Sequence, residues 1–296
     1  MTRRSLIEVR GLVKAYPRGR SLFRRGDEVR VVDRVSFVID EGEALALVGE
    51  SGSGKSTTGR CLLRLVEPTD GEIRFRGENV LAYSRERLRR ARREMQMVFQ
   101  DPYSSLNPRM RAGAIVDEPL IIHGLGSHSS RLAQVAELFK QVGLDASMMR
   151  RYPRELSGGQ RQRVGLARAL ALNPSFIVCD EPVSSLDAPV QAQIVQLLAD
   201  LQARLRLAYL FITHDLRLVQ RFCARVAVMY RGRIVELASS GALFEAPQHP
   251  YTRALLSAAL VADPNHRATR VRFDPTTFDP RIDLREVAQD HWAAIQ

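Results

Sequence analysis

Apolar positions fall into short, strand-sized runs in the first hundred residues and again beyond residue 175. Leu6–Arg10 and Val35–Ile39 read as strands, and the turn Glu41-Gly42-Glu43 feeds a third, Ala44–Val48. A helix-compatible stretch then runs to Leu65. Glu67-Pro68-Thr69-Asp70-Gly71 forms a turn, Glu72–Arg76 returns as a strand, and Met95–Phe99 is another. From Asp101 to about Asn173 the period lengthens. Leu132, Val135, Leu138, Phe139 and Val142 recur at helix spacing, and Gln160–Leu172 predicts a second helix stopped by Asn173-Pro174. Phe176–Cys179 is a buried-type strand, followed by a helix with Val190, Ile194, Leu197, Leu198, Leu201 and Leu205 on one face. Ala208–Thr213 is a strand, and Arg225–Tyr230 pairs with Arg233–Leu237 as a hairpin. After Pro247 the prolines at 250, 264, 275 and 280 predict a loosened chain. Strands alternating with helices predict an α/β sheet with a helical insert at about 101–172.

Composition changes this picture little. The 296 residues are 45% hydrophobic and 26% charged, close to globular averages, which excludes wholesale disorder. No apolar run approaches the ~20 residues of a membrane-spanning helix. Arg3-Arg4 resembles the start of an export signal, but Glu8 and Arg10 interrupt what would be its apolar core. Cys61, Cys179 and Cys223 are too widely spaced for a CxxC pair or a disulfide framework, as suits a reducing compartment. The net charge of +11 rests on arginine, with only Lys14, Lys55 and Lys140 as lysines. Six arginines crowd Arg85–Arg93, a segment that reads as a solvated helix face.

The chemistry begins at Gly49. Gly49-Glu50-Ser51-Gly52-Ser53-Gly54-Lys55-Ser56-Thr57 follows a strand and opens a helix, the context of a P-loop. Its glycines let the backbone form a nest of N–H groups for a β-phosphate, and the new helix adds its positive end. Lys55 reaches the β/γ oxygens and the Ser56 hydroxyl ligates Mg²⁺. A second carboxylate-tipped strand is then required. Asp180 supplies the metal carboxylate after Phe176–Cys179, and Glu181 follows as the general base for the attacking water. Leu156-Ser157-Gly158-Gly159-Gln160 is a second Ser/Gly nest at a helix N-terminus.

With two such nests in one chain, residues 5–260 resemble the ATP-binding subunit of an ABC transporter. Leu156–Gln160 looks like the family signature, Gln100 like the Q-loop glutamine, Ser184-Ser185-Leu186-Asp187 like the D-loop and His214 like the switch histidine. Tyr16 falls where the family stacks adenine. Tyr103–Met110, His249–Leu256 and the insertion Arg18–Arg30 look like the oligopeptide/dipeptide/nickel importer branch. Val183 stands where many members have threonine. No cysteine follows Cys223, so no cluster site of the kind some members carry is expected.

The resemblance implies a P-loop ATPase cassette at 5–262: a RecA-like core, an antiparallel β subdomain and a helical signature subdomain. The C-terminal extension 263–296 would be separable from ATP chemistry, its lone Trp292 either docking on a neighbouring surface or fraying. ATP and Mg²⁺ are the implied cofactors. Tyr16, Gly49, Ser51, Gly52, Ser53, Gly54, Lys55, Ser56 and Thr57 would hold the nucleotide. Ser157, Gly158, Gly159, Gln160 and Asp187 would reach it from a second cassette. Ser56, Gln100 and Asp180 would hold Mg²⁺, and Glu181, His214 and Gln100 would serve hydrolysis. The implied partners are a second ATPase subunit (a heterodimer favoured over a homodimer), two transmembrane permeases and, indirectly, a periplasmic solute-binding protein. The site of action would be the cytoplasmic face of a bacterial inner membrane.

Two rivals are weaker. The basic charge suggests an ATPase acting on nucleic acid, but the chain lacks a zinc insertion, a long coiled coil and a second P-loop, so no nucleic-acid partner is expected. An exporter ATPase conflicts with the 103–110 and 249–256 segments. His123 and His128 read as surface histidines rather than metal ligands.

Overall fold

A computed structural model describes residues 4–17, 28–101, 105–260 and 271–295. Arg3, residues 18–27 of the insertion and Tyr103-Ser104 lie outside the described residues. The chain forms two compact units, one from Met1–Tyr83 with Leu210–Gln296 and the other from Ser84–Tyr209.

The first unit opens with β1 (Ser5–Pro17) antiparallel to β2 (Glu28–Asp40), and β4 (Asp70–Phe75) with β5 (Glu78–Asn79) completes the order β2-β1-β4-β5. Both opening strands are longer than their alternation predicts. Register shifts between Val9 and Leu12 and between Leu12 and Lys14 break the two-residue period, hiding the second half of β1. Between β2 and β4, β3 (Ala44–Val48) is buried at every position and leads into α1 (Lys55–Leu62). A near-continuous apolar run of this kind belongs to a strand covered on both faces.

The second unit starts with α2 (Arg85–Glu94), N-capped by Ser84 and burying only Leu88, so the arginine-rich segment is a surface helix as expected. Strand β6 (Met95–Val98) runs parallel to β7 (Phe176–Asp180), with Met95 opposite Phe176 and Val98 opposite Cys179. Between them α3 (Ala112–Ile122), α4 (His128–Gln141) and α5 (Gly158–Leu170) pack on one another. Val135, Leu138, Phe139 and Val142 are buried, whereas Leu132 is 45% exposed at the edge of the stripe and is not a core residue. Helix α5 begins two residues earlier than predicted because Ser157 caps it, and α6 (Ala188–Leu205) follows β7.

The chain then returns to the first unit with β8 (Ala208–Thr213), α7 (Leu216–Phe222), β9 (Arg225–Tyr230), β10 (Arg233–Ser239), α8 (Ser240–Glu245) and α9 (Pro250–Leu260). The sheet of this unit has the order β11-β12-β10-β9-β3-β8, where β11 is Arg285–Ala288 and β12 is His291–Ala293. The predicted loosening after Pro247 fails at 250–260 and 285–293, whereas Pro264 lies outside the described residues. Pro250 occupies the first position of α9, where a missing N–H is harmless, and the chain returns later as two sheet strands. Trp292 is not frayed, since it sits opposite Leu237 in the β10–β12 pair. All three cysteines are free and buried. Among the described residues no helix is long and apolar enough to cross a membrane.

Phe139 is fully buried in the second unit. Phe139→Ala should lower unfolding stability by about 3–5 kcal/mol through lost contacts and the cavity left behind. Calorimetry or denaturant titration measures it, and a loss below about 1 kcal/mol would contradict this packing.

Candidate active site

The first unit carries the phosphate loop between β3 and α1. Gly54 caps α1 at φ 104°, and a Cβ there would stand 2.4 Å from the Val31 carbonyl oxygen. At Gly49 a Cβ would stand 2.1 Å from the carbonyl oxygen of Met229. Backbone meets backbone at both ends of the loop, so only glycine fits. Inside it, Ser53 N–H donates to the Glu50 carbonyl at 3.2 Å, and Thr58 Oγ1 donates to the Gly54 carbonyl at 3.0 Å. Lys55 is 4% exposed, and its Nζ donates to the carbonyls of Gly49 and Glu50, each at 2.8 Å. The loop thus ties its own ammonium to the carbonyls that open it. Ser51 and Gly52 are exposed at the tip, while Ser56 and Thr57 are half-buried at the head of α1.

The same unit holds His214, exposed at the end of β8, with the Thr213 hydroxyl accepting from Asp215 N–H at 3.0 Å just beyond it. Bonding to Arg217 holds the Asp215 carboxyl below the usual range. Tyr16, 40% exposed on β1, has Lys14 Nζ 4.8 Å from its ring centroid.

One contact here escaped sequence reasoning. The Glu50 N–H donates to the Tyr251 hydroxyl at 3.1 Å, across 201 positions of chain. Burial pushes the Tyr251 phenol up to about 12, so it stays protonated and neutral. The His249–Leu256 segment, read in the sequence only as a branch marker, therefore touches the phosphate loop.

The second unit supplies the carboxylates and the second nest. Asp180 ends β7 and is 1% exposed. Glu181 follows at φ 46°, a left-handed conformation unfavourable for a side chain of its size and of the kind held at functional sites. Gln100 Nε2 donates to Glu181 Oε2 at 3.1 Å. The structure therefore joins two predicted residues, the glutamine fixing the carboxylate by one hydrogen bond. With its nitrogen so used, the Gln100 amide oxygen is the atom that can face a cation.

Ser157 caps α5 reciprocally: its Oγ accepts from Gln160 N–H at 3.3 Å, and its own N–H donates to Gln160 Oε1 at 3.0 Å. Leu156 is buried while Ser157 is exposed, so the nest stands on an anchored base with its serine at the surface. Asp187 starts α6 but its carboxylate makes no capping bond. Gln191, which the sequence did not single out, donates through Nε2 to the carbonyls of Val183 (3.1 Å) and Leu186 (2.9 Å) and fixes the 184–187 turn.

Comparison with known proteins fits this geometry. Residues 32–184 match the ABC transporter family, and residues 235–279 match the oligopeptide/dipeptide transporter C-terminal region. A Brucella ovis relative named as a peptide import ATP-binding protein is 53% identical over 270 residues, covering 91% of this chain and 83% of its own. The chain belongs to the ABC transporter family. The glutathione import ATP-binding protein GsiA of Salmonella paratyphi A is 50% identical over 98% of this chain but only 48% of its own length. Among solved structures, the ATP-binding cassette MJ0796, a dimer in a post-hydrolysis state bound to ADP and Pi, superposes with a TM-score of 0.71 at 30% identity. That likeness covers 79% of this chain and 99% of that one. The cassette cbiO1 from Clostridium perfringens, part of the cbiONQ transporter complex, gives 0.70 at 25% identity over 82% and 92%. This ABC cassette is an ATP-hydrolysing enzyme by family.

Lys55→Ala should weaken ATP binding at least tenfold, roughly the value of one charge-assisted contact to phosphate, and Lys55→Arg should also impair it because a planar fork does not fit the loop. Calorimetric titration measures both, and unchanged affinity would contradict the role of Lys55. Glu181→Gln should bind Mg-ATP normally and turn it over at least about 100-fold more slowly. Near-normal hydrolysis would remove Glu181 as the base.

Proposed function

We propose that this ABC cassette drives uptake of peptides or a related small solute, hydrolysing ATP beneath transmembrane permeases. The match of residues 235–279 to the oligopeptide/dipeptide transporter C-terminal region carries the import assignment, and import relatives at 50–53% identity support it. Mg²⁺ suits the oxygen donors offered by the Ser56 hydroxyl, the Asp180 carboxylate and the Gln100 amide. Among the described residues no cluster of three His, Cys, Asp or Glu side chains could hold a metal, and a nucleotide-borne Mg²⁺ needs only one or two protein ligands. When bound, that ion neutralises charge on the β- and γ-phosphate oxygens.

The residues then divide the work. The loop 49–57 cradles the phosphates, Lys55 offsets their charge, and the exposed ring of Tyr16 stacks on the base. Glu181, oriented by Gln100, takes a proton from the water whose oxygen attacks the γ-phosphorus. The bond to the β-phosphate oxygen breaks and ADP departs. His214 holds the γ-phosphate end. Ser157, Gly158, Gly159, Gln160 and Asp187 close the site of a second cassette, so two facing cassettes make two sites. Supporting this is Ser157, whose side chain is at the surface of an α5 N-terminus already capped within its own chain. The branch likeness favours a different ATPase as the partner, with two permeases above the pair and a periplasmic binding protein delivering solute. In this reading the protein works peripherally on the cytoplasmic face of the inner membrane.

ATP turnover per chain should rise steeply with protein concentration and again when the neighbouring ATPase is added. Ser157→Arg should abolish turnover of the partner's nucleotide yet leave binding at this chain's own loop. Full activity per chain, independent of dilution, would overturn the shared-site reading.

A further inference from the structure

The C-terminal region is bonded to the phosphate loop through a buried polar network in the first unit. Glu236 on β10 is 0% exposed, and an unpartnered carboxylate there would be costly. It is satisfied from two later parts of the chain. Its Oε1 accepts from Gln248 N–H at 2.7 Å, and its Oε2 accepts from His249 N–H at 2.9 Å. The third partner is His291 on β12, 4% exposed, whose Nε2 lies 2.7 Å from Oε1.

This pinning sets the start of α9. Burial holds His249 below the ordinary histidine range, favouring the neutral ring whose Nδ1 accepts from Tyr251 N–H at 3.1 Å. The Tyr251 ring is 2% exposed and lies 4.4 Å from that of Tyr230 and 5.5 Å from that of Phe273 in the extension. Its hydroxyl then receives the Glu50 N–H, while the Glu50 carbonyl receives Lys55 Nζ. The extension thus reaches Tyr251 twice, by the edge of Phe273 and through His291 and Glu236.

We propose that Tyr251 is a positioning residue for ATP, holding the Glu50 peptide so that Lys55 and the loop are set for phosphate, and that the C-terminal extension fixes Tyr251 through His291 and Glu236. The extension would then be coupled to nucleotide affinity, in place of the separability its lack of phosphate ligands suggested. The proposal rests on the ATP-binding role of the P-loop but on neither the solute nor the partner.

The test uses the purified full chain, a fluorescent ATP analogue titrated in Mg²⁺, and steady-state hydrolysis by the same chain at one fixed concentration. Tyr251→Phe keeps the ring and removes only the acceptor. It should raise the nucleotide Kd and the KM for ATP about five- to tenfold and leave kcat within about twofold, since nothing at the reacting phosphate changes. His291→Ala should raise Kd similarly. His291→Gln, whose amide nitrogen can still donate to Glu236, should recover most of that loss. The double variant Tyr251→Phe/His291→Ala should be no weaker than the poorer single variant, because both act through one path. A Tyr251→Phe chain that binds within twofold of the wild type overturns the proposal. So does a His291→Ala chain that melts earlier but keeps its affinity, for that is a purely structural role. A wild-type chain that fails to bind the analogue would remove the P-loop reading and this proposal with it.

Discussion

The peptide joining Gly49 to Glu50 is held from both sides, its N–H by the Tyr251 hydroxyl and its carbonyl by the Lys55 ammonium. These bonds close the phosphate loop from within the chain. An ammonium buried in a protein must find acceptors, and here it finds the carbonyls that begin the loop. The glycines follow from the same constraint, because the loop at Gly49 and Gly54 runs against the backbone of Met229 and Val31. Strands β2, β3 and β9 can be read as the frame against which this one peptide is set.

The second unit solves a complementary problem. It fixes the end of β7 by a left-handed Glu181, one bond from Gln100 across 81 positions, and Gln191 holding the turn that follows. Its glycine-rich nest is capped by its own Ser157 and Gln160, so the helix start needs no second chain to keep its shape. Each half of the machinery is therefore formed by bonds within one chain, some across 81 and 201 positions.

The parts legible in the sequence were those written in contiguous residues. The strand and loop at 44–54, the apolar β7 ending in Asp180, and the 225–237 hairpin read correctly because periodicity and turn chemistry are local signals, while the helix predicted to run to Leu65 stops at Leu62. Strands β1 and β2 were seen only in part, since register shifts interrupt their alternation. Helix α5 was started at Gln160 because two glycines argue against helix, yet the Ser157–Gln160 capping box places them in its first turn. The region after Pro247 was misread because prolines look like breakers wherever they stand. Pro250 starts a helix, and the strands of 285–288 and 291–293 are too short to show a period. Glu236, His291 and Tyr251 were invisible as a group, for 55 positions separate the first two and 201 separate Tyr251 from Glu50.

The phosphate loop is preformed by bonds within the chain, and amide hydrogen exchange on the nucleotide-free protein is the test of that. The amides of Glu50, Ser53 and Thr58, each bonded here, should exchange at least about tenfold more slowly than an unstructured chain before any ATP is added. Exchange at unprotected rates that slows only on adding Mg-ATP would contradict it, showing a loop shaped by its ligand.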